Sequence, residues 1–521
     1  MEPVLCELSV RNFKSLKDTG TLKLRPITLF VGPNSSGKTA LIQTLLLLKQ
    51  TLESRNIESP LVLNGKYLNL GAFTNLVFGH DVKREIEISF GISRPHRTRF
   101  FRPTILGMTK GYRKVKIRVG YDNNRKMMVN KCLEFSFSEP KIDVSITAEK
   151  MQITHDGHVF RLDSPRIEQR NFLYIPLFFL PALSEIRRLL MLKREITQLK
   201  EMEKRLENAQ KTSLEKKGRI ETEKHLEKKR IQEKIRKMES DMQHHLKRIQ
   251  RFLGKISVEQ LKDKEEEISM VERALDFSRS LSFFLQRFLV ERLYYIGPLR
   301  EYPQRYYIAS GEYPRDVGLR GEHTAEVIYF NFRRKPNHKE KLMRWMKLMD
   351  LAYDVKLSKV IEGIYALTIT NPKLNIDVNL ADVGFGTSQL LPIIVEGIYA
   401  DVGSVLLMEQ PEIHLHPRLQ ALLADFLIDV IKQGKQVIVE THSEHIIMRL
   451  QRRIAEGTIS HNDVAIYSFE LSENGTKISP VKINENGIID QWPKGFFEED
   501  FEEAYSFFKA LGRKKDALPR G

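Results

Sequence analysis

Near the N-terminus, eight residues combine glycines, a lysine and a threonine at a spacing that binds phosphate. The stretch GPNSSGKT, residues 32–39, fits the pattern G-x-x-x-x-G-K-[ST]. In such a loop the glycines let backbone N–H groups surround phosphate oxygens, the lysine reaches the β- and γ-phosphates, and the last hydroxyl is a ligand of Mg²⁺. The residues predicted to bind a nucleoside triphosphate are Asn34, Ser35, Ser36, Gly37, Lys38 and Thr39.

A second set of candidate catalytic residues follows the apolar stretch SVLLM. Glu409 ends this stretch, and Gln410 and Glu412 come just after it. Glu409 stands where a carboxylate would hold the hydration shell of Mg²⁺, together with Thr39, so it takes the place of the usual aspartate. For the attack of water, two choices stay open. Gln410 can orient the water without accepting its proton, or Glu412 can act as the acid across the proline that separates the two residues.

A histidine follows a third apolar stretch. In KQVIVETHSEH, the run of β-branched residues leads to Glu440, Thr441 and His442. A lone histidine is more often structural than catalytic. One that stands just past a buried strand of the same sheet can reach a γ-phosphate, which makes His442 a further catalytic candidate.

The elements around these residues resemble buried strands followed by helices. The stretch ITLFV runs straight into residues 32–39, and a leucine-rich segment comes next. Continuous apolar runs of this length are typical of strands that are covered on both faces, as in a parallel sheet. Strand, glycine-rich loop and helix in this order predict the α/β fold of a P-loop NTPase.

Residues 184–252, in the first part of the predicted arm at 184–290, differ from their neighbours because they are rich in lysine and glutamate and free of proline. The stretch AQKTSLEKKG interrupts a helical pattern and could be the tip of an antiparallel hairpin. No cysteine lies at this tip, so a zinc hook is excluded. Such a hairpin is either a solvated helix pair or a docking site for nucleic acid or a protein. Apolar residues predicted to join its two helices recur at three- and four-residue steps: Leu189, Leu192, Ile196, Leu199 and Met202.

One strand-like stretch presents cations on a single face. In GYRKVKIRVGYDNNRK, apolar residues alternate with basic ones from residue 114 to residue 119, and YDNNR predicts a turn. Alternation puts the two residue types on opposite faces of a strand. Because a row of cations suits contacts with phosphate groups, the candidate nucleic-acid residues are Lys114, Lys116 and Arg118.

Composition narrows the class of protein further. The formal net charge of +17 favours an anionic partner such as nucleic acid, although charge alone proves no binding. Cys6 and Cys132 are the two cysteines, so neither a disulfide framework nor a cysteine-based zinc site is available. The N-terminal residues lack the pattern of a signal peptide, and no apolar run is long enough to span a membrane. We therefore predict a cytoplasmic protein without a membrane partner.

The order of these motifs resembles the ABC-type heads of RecF, the SMC-like repair ATPases and the OLD-type ATPases. The resemblance rests on residues 32–39, DVGFGTSQLLPI at 382–393, the strand at 405–410 and ETHS at 440–443. In that class the second motif, the signature, closes over ATP held by another copy, which implies an ATP-sandwiched homodimer or higher oligomer. The signature residues expected to contact ATP are Gly386, Thr387 and Ser388.

Two residues depart from the pattern of that class. Gln410 stands where the class has a catalytic glutamate, and Phe385 stands about where the signature has a serine. Thr387 or Ser388 could supply the hydroxyl that Phe385 lacks. We expect slow ATP turnover, because positioning and electrostatics account for most of the acceleration in phosphoryl transfer even when no side chain accepts the proton.

The motifs are more similar still to prokaryotic AAA/ABC-type ATPases that carry a small uncharacterised C-terminal domain and occur among phage-defence genes, such as the Septu and retron-associated ATPases. Stretches that carry this resemblance include GPNSSGKTALIQ, EQPEIHLHPRLQ, ETHSEHIIMRLQRRIAEG and GIIDQWPKGFFEED. The resemblance implies an ATP-gated sensor or clamp of nucleic acid that controls a separate nuclease in antiviral defence. The alternatives are a RecF-like or SMC-like ATPase of DNA repair and, less favoured, an ATP-locked scaffold without turnover.

A nuclease within the same chain is not favoured. Only about eighty residues follow ETHS, too few for a typical second catalytic domain, and they lack a clear acidic cluster for two metals. The predicted fold is an α/β P-loop NTPase with an ABC-type split head, a β-rich N-terminal subdomain and an inserted helical coiled-coil arm. The predicted segments are 1–183, 184–290 for the arm, 291–475 for the second half of the head, and 476–521 for a small C-terminal domain.

Overall fold

The computed structural model describes residues 4–56, 58–93, 113–138, 142–147, 150–155, 158–163, 180–211, 220–253, 282–308, 311 and 313–492. The chain forms two compact units. The first comprises Met1–Ser54, Val62–Phe100 and Arg287–Gly521, and the second comprises Arg55–Leu61 and Phe101–Gln286. The second unit is thus inserted into the sequence of the first.

The strands, in chain order, are β1 (Leu5–Phe13), β2 (Leu16–Asp18), β3 (Leu22–Lys23), β4 (Ile27–Val31), β5 (Ile86–Ile92), β6 (Arg113–Asp122), β7 (Met127–Phe137), β8 (Ile142–Thr147), β9 (Lys150–His155), β10 (His158–Asp163), β11 (Leu293–Ile296), β12 (Tyr307–Ile308), β13 (Asp354–Ile361), β14 (Ile364–Thr370), β15 (Asp377–Asn379), β16 (Val405–Glu409), β17 (Gln436–Glu440), β18 (Val464–Ser472) and β19 (Gly475–Val481). The helices are α1 (Lys38–Glu53), α2 (Phe73–Leu76), α3 (Leu180–Lys211), α4 (Ile220–Leu253), α5 (Thr324–Arg334), α6 (Pro336–Leu348), α7 (Phe385–Tyr399), α8 (Pro417–Lys432) and α9 (Glu444–Ala455). None of these described helices is long and apolar enough to cross a membrane.

A six-stranded sheet in the first unit carries the motifs. Its order is β11-β16-β17-β4-β18-β19, and all neighbours are parallel except the last pair. Strands β4, β16 and β17 are buried at every position, as expected for parallel strands covered on both faces. The first half of the chain supplies β4 and the second half supplies β16 and β17. The split head predicted from the motif order is therefore confirmed.

The helices beside this sheet begin where their sequences place capping groups. Helix α8 begins with Pro417 in its first turn, and helix α9 follows Ser443, whose side chain accepts a hydrogen bond from the N–H of Ile446. Helix α7 is buried over most of its surface, because its sequence is apolar on nearly every side. These helices fix the loops that leave the carboxyl ends of the strands.

Two further sets of antiparallel strands belong to the first unit. Strand β1 pairs with β2, β3 and β5. Strand β14 pairs with β12, β13 and β15. The β-rich character predicted for the N-terminal part of the chain is seen in β1, β2, β3 and β5.

The second unit contains a β-meander and a long helical hairpin. Strands β6 to β10 pair in sequence order, each antiparallel to the next. Helices α3 and α4 lie antiparallel, because Lys200 pairs with Glu239 at 2.9 Å and Lys228 pairs with Glu207 at 2.6 Å. The inserted helical arm is thus seen as a pair of antiparallel helices. The predicted tip was residues 209–218; residues 209–211 lie in α3, and the rest lie outside the described residues.

The core of the hairpin follows the predicted spacing with one exception. Ile196 packs with Ile231, Ile235 and Met238 and is supported by partly buried leucines, among them the predicted Leu192 and Leu199. The prediction was wrong for Met202, whose side chain is 48% exposed. An antiparallel helix pair buries a narrow stripe, and position 202 lies beside that stripe.

The two units do not coincide with the four predicted segments. Strands β6 to β10 belong to the same unit as the hairpin, whereas the prediction assigned them to the first segment. Strand β19 pairs with β18 in the six-stranded sheet, so the start of the predicted C-terminal domain is part of the main fold. Residues 493–521 of that segment lie outside the described residues.

Candidate nucleotide site

The glycine-rich loop lies between β4 and α1 and has a backbone that requires its glycines. Gly32 has a φ of 136° and Gly37 a φ of 101°, values that side chains disfavour. A Cβ atom on Gly32 would also lie 2.3 Å from the backbone oxygen of Phe469. The loop can therefore approach a ligand with its backbone, as the sequence pattern predicts.

Lys38 lies inside this loop with an almost fully buried side chain. Its Nζ donates to the carbonyl oxygens of Gly32 at 2.9 Å and Pro33 at 2.8 Å. Burial lowers the pKa of Lys38 from its ordinary value, because a buried ammonium loses hydration. The hydroxyl of Ser36 is also buried, and it has no hydrogen-bond partner among the described residues. These are groups that phosphate oxygens would satisfy.

Two carboxylates end adjacent strands next to the loop. Glu409 and Glu440 are register partners at the ends of β16 and β17. The Thr39 hydroxyl donates to Oε2 of Glu440 at 2.8 Å, and Nζ of Lys38 lies 3.9 Å from Oε1. Burial raises the pKa of Glu440. Glu440 was not among the predicted site residues, although its position at the end of an apolar strand matches that of Glu409.

Glu409 has different neighbours from those predicted. Its Oε1 accepts a hydrogen bond from the Tyr295 hydroxyl at 3.1 Å. Burial, and secondly the charge of Glu440, raise the pKa of Glu409 to about 7. The predicted metal pair, Thr39 and Glu409, thus lies at one site, but Glu440 is the carboxylate that accepts from the Thr39 hydroxyl.

The loop after β16 holds Gln410 and Glu412 in distinct roles. Gln410 has a left-handed φ of 44°, and its N–H donates to the carbonyl of Glu440 at 2.8 Å. Its side-chain amide makes no hydrogen bond within the described part of the chain. Oε1 of Glu412 accepts a hydrogen bond from the N–H of His442 at 2.7 Å. Glu412 therefore supports the histidine, and Gln410 keeps a free amide.

His442 is half-buried and keeps one ring nitrogen unsatisfied. Its Nε2 is buried and has no hydrogen-bond partner among the residues the structure describes. Burial, and secondly the charge of Lys38, lower the pKa of His442, which favours the neutral ring. A neutral imidazole near Lys38 can donate one N–H to a phosphate oxygen.

A second lysine, not predicted, lies close to this site. Lys14 follows β1 with a φ of 52°, and its Nζ donates to Oε1 of Gln43 at 2.5 Å. Burial lowers the pKa of Lys14, and the charge of Glu409 opposes that change. The sequence signal was a lone lysine in a turn, which does not by itself distinguish a site residue from a surface cation.

The signature residues form the first turn of α7. Thr387 and Ser388 are buried, and the Ser388 hydroxyl donates to the carbonyl of Phe385 at 2.8 Å. The Phe385 ring packs against Tyr302 and His414, with centroids 5.0 Å and 4.7 Å away. Over the described residues, no hydrogen bond or ion pair joins residues 384–388 to residues 32–39. Within one chain, Gly386 and its neighbours therefore make no such contact with the glycine-rich loop.

Arg300 connects the signature helix to the loop after β16. Its Nε donates to Oε1 of Gln389 at 3.3 Å, and its Nη2 donates to the carbonyl of Gln410 at 3.4 Å. Burial lowers the pKa of Arg300 to about 10, which the charge of Glu412 partly offsets. Arg305, by contrast, forms an exposed ion pair with Asp382.

The predicted cationic row lies on β6, and the predicted alternation is confirmed. Val115, Ile117 and Val119 are buried, while the three basic side chains are partly exposed. Glu134 on β7 pairs with Lys116 at 2.7 Å and with Arg118 at 3.5 Å. A contact between Lys114, Lys116 and Arg118 and nucleic acid stays a prediction, on a face that Glu134 partly neutralises.

The donor set at the loop fits Mg²⁺. Among the described residues, no group of three or more His, Cys, Asp and Glu side chains forms a ready metal cluster. Mg²⁺ prefers oxygen ligands and is held by one or two carboxylates together with phosphate oxygens and water. The Thr39 hydroxyl and the carboxylates of Glu409 and Glu440 offer that set beside the loop.

A family model identifies the class of this protein. Residues 4–447 match the model described as AAA ATPase domain, and this match covers well over half of the chain. The chain therefore belongs to the AAA ATPase domain family. Residues 459–504 match a second model, described as protein of unknown function (DUF3696). No curated protein matches the chain.

Solved structures similar to the chain are heads of SMC proteins. The Smc head domain of Pyrococcus furiosus, with an extended coiled coil and bound to the C-terminal domain of ScpA, has 10% identity and a TM-score of 0.37 over 98% of this chain and 99% of that one. The SMC head domain of Thermotoga maritima has 9% identity and a TM-score of 0.33 over 93% and 100%. The Smc head domain of Pyrococcus yayanosii has 12% identity and a TM-score of 0.38 over 92% and 97%.

Proposed function

We propose that this AAA-family ATPase binds ATP with Mg²⁺, hydrolyses it slowly and dimerises around it. The observation that carries the proposal is the convergence of Lys38, Thr39, Glu409 and His442 on the carboxyl ends of three adjacent parallel strands. A crevice at these strand ends is where open α/β sheets bind ligands.

Each residue has a separate task in this proposal. Lys38 exchanges the carbonyls of Gly32 and Pro33 for β- and γ-phosphate oxygens. His442 donates a hydrogen bond to the γ-phosphate, held in place by Glu412. Mg²⁺ bound at Thr39 and the carboxylates supplies charge neutralisation of the phosphates.

Turnover is slow because of Gln410. Its free amide orients the attacking water but takes up no proton, and Glu412 is engaged with the N–H of His442. The ATP-bound state therefore persists, which suits a protein whose dimer is the active signalling form.

We further propose a cytoplasmic sensor or clamp of nucleic acid that controls a separate nuclease in antiviral defence. The support is the net charge of +17, the cationic face of β6, the defence-type motifs and the match to a C-terminal family of unknown function. A role in DNA repair, as in RecF-like or SMC-like ATPases, is the second candidate, because a helical hairpin is inserted in the head. A neighbouring nuclease or reverse-transcriptase gene would favour defence.

The first test is ATP turnover by the purified protein with and without duplex DNA. Lys38→Ala removes the ammonium that would bind the phosphates, so we expect turnover and nucleotide binding to be lost. Lys83→Ala is the matched control: it removes an exposed lysine that is not part of the glycine-rich loop, and it should leave turnover unchanged. Stimulation by DNA would support the sensor, whereas equal turnover in the Lys38 variant and the wild type would refute the ATPase.

A further inference from the structure

We propose that Glu440 is a metal-positioning carboxylate of this ATPase, so that the Mg²⁺ site is shared by the ends of β16 and β17. This inference rests on the proposed function and deepens it. The Thr39 hydroxyl, the loop's own Mg²⁺ ligand, donates to Glu440 at 2.8 Å, whereas the hydrogen-bond donor to Glu409 is Tyr295. Glu440 is therefore the carboxylate in direct contact with the expected metal ligand.

The strand order explains why Glu440 and not Glu409 reaches Thr39. Strand β17 lies between β4, which leads into the loop, and β16, which ends in Glu409. The N–H of Thr441 donates to the carbonyl of Phe30 at 3.0 Å, and the N–H of Gln410 donates to that of Glu440 at 2.8 Å. These two bonds fix the end of β17 on both sides, so the carboxylate of Glu440 has a defined position.

Charge balance points to a cation at this place. Glu440 is 4% exposed and Glu409 is 6% exposed, and Lys38 is the cation within 4 Å of Glu440 in the described chain. When the ammonium of Lys38 turns to phosphate oxygens, Glu440 loses the cation that lies within 4 Å of it, and Lys14 stays near Glu409. A buried carboxylate without a close positive partner is costly. A hard divalent cation between the carboxylates and the phosphates offsets that cost.

A separate observation shows that this place is built for a ligand. The hydroxyl of Ser36, on the loop itself, is buried to 1% exposure and unsatisfied within the described chain. Buried polar groups in native proteins are nearly always paired, so this hydroxyl indicates a missing polar ligand at the loop.

The test measures metal affinity rather than turnover. A fluorescent ATP analogue is bound to the wild type and to Glu440→Gln, first with EDTA and then along an Mg²⁺ titration. We expect metal-free nucleotide affinity to change by less than about twofold, while the Mg²⁺ concentration for half-saturation rises by about tenfold or more in the variant. Mn²⁺ in place of Mg²⁺, followed by its paramagnetic resonance signal, reports the same loss directly.

Two further variants test the role of Glu440 in metal binding. Glu440→Asp retains the charge on a shorter side chain and should weaken metal binding less than Glu440→Gln. It also provides a measurement if Glu440→Gln folds poorly. Glu470→Gln, an exposed glutamate on β18, is the control and should match the wild type. Wild-type half-saturation in both Glu440 variants would overturn the inference alone. Absence of nucleotide binding by the wild type would instead overturn the proposed function.

Discussion

Gln410 combines an unusual backbone with a free side chain. Its φ of 44° lies in the left-handed region, which costs a non-glycine residue about 1 kcal/mol or more. The hydrogen bond from its N–H to Glu440 holds this conformation. The end of β16 is thus held in a strained conformation directly beside the end of β17.

Gln410→Glu tests whether the missing carboxylate limits turnover. A glutamate at this position can accept the proton of the attacking water, so we expect ATP turnover to rise by roughly tenfold or more and the lifetime of the ATP-bound dimer to shorten. Gln243→Glu, an exposed position on α4, is the matched control. Steady-state phosphate release and dimer decay after ATP removal measure both effects. If neither changes, Gln410 does not set the rate.

The sequence predicted site roles for the loop residues, Glu409 and His442, because each stands at a fixed offset from an apolar run, and these roles stay predictions. It missed Glu440 and Lys14 for a physical reason. Which carboxylate meets Thr39 depends on β17 lying between β4 and β16, and a single sequence does not contain the order of strands in a sheet. Lys14 comes near Glu409 only through the turn after β1.

Among the elements, Arg300 connects helix α7 with the loop after β16, and these two elements have different expected roles at the nucleotide. Helix α7 carries the signature, which is expected to meet the nucleotide of another copy, and the loop after β16 is proposed to serve the nucleotide of the same copy. Arg300 donates to both, through Gln389 and the carbonyl of Gln410. A shift of one element therefore changes the hydrogen bonds of the other.

Arg300→Met keeps the length of the side chain but removes its donors. We expect turnover to fall roughly tenfold, because the loop that carries Gln410 loses a support, while nucleotide affinity at the Lys38 loop stays within about twofold. Unfolding free energy should fall by about 1–3 kcal/mol, since buried polar groups lose a partner.

Arg305→Met is the matched control for this variant. Both side chains of its ion pair with Asp382 are exposed, so the loss of this pair should change the free energy of unfolding by less than about 1 kcal/mol and leave turnover unchanged. Chemical denaturation and phosphate release measure both variants. Equal behaviour of the two variants would show that Arg300 does not link the elements.

The elements themselves were largely predictable. Apolar runs of five residues predicted β4, β16 and β17, because a strand that is buried on both faces is apolar at every position. Alternating residues predicted β6, because a strand that is buried on one face is apolar at every second position. Strand pairing across long sequence separations left no such trace. The grouping of β6 to β10 with the hairpin, and of β19 with the main sheet, therefore differs from the predicted segments.

For the whole molecule, the exposed aromatic residue beside the signature is the place to test dimer formation. Tyr302 is 77% exposed and packs on Phe385 at the start of α7. In an ATP-sandwiched dimer this end of the helix faces the triphosphate of the second copy. A negative charge placed there is repelled by the phosphates, whereas the loop of the same copy is unaffected.

Tyr302→Glu should therefore prevent ATP-dependent dimer formation while ATP affinity per chain changes by less than about twofold. Tyr353→Glu, at a tyrosine 49% exposed before β13, is the control and should still dimerise. Sedimentation velocity with ATP and Mg²⁺ distinguishes monomer from dimer. A dimer of unchanged stability in Tyr302→Glu would exclude a sandwich closed by this end of α7.

The position of β17 between β4 and β16 also has a consequence for how the protein is made. A ribosome finishes the phosphate loop at residue 39 and reaches Glu440 only about 400 residues later. Until then β4 lacks its neighbours on both sides, and its apolar residues need shelter from water. A chain that ends before residue 440 thus carries a phosphate loop without Glu440 and His442, and under the proposed function it does not hydrolyse ATP.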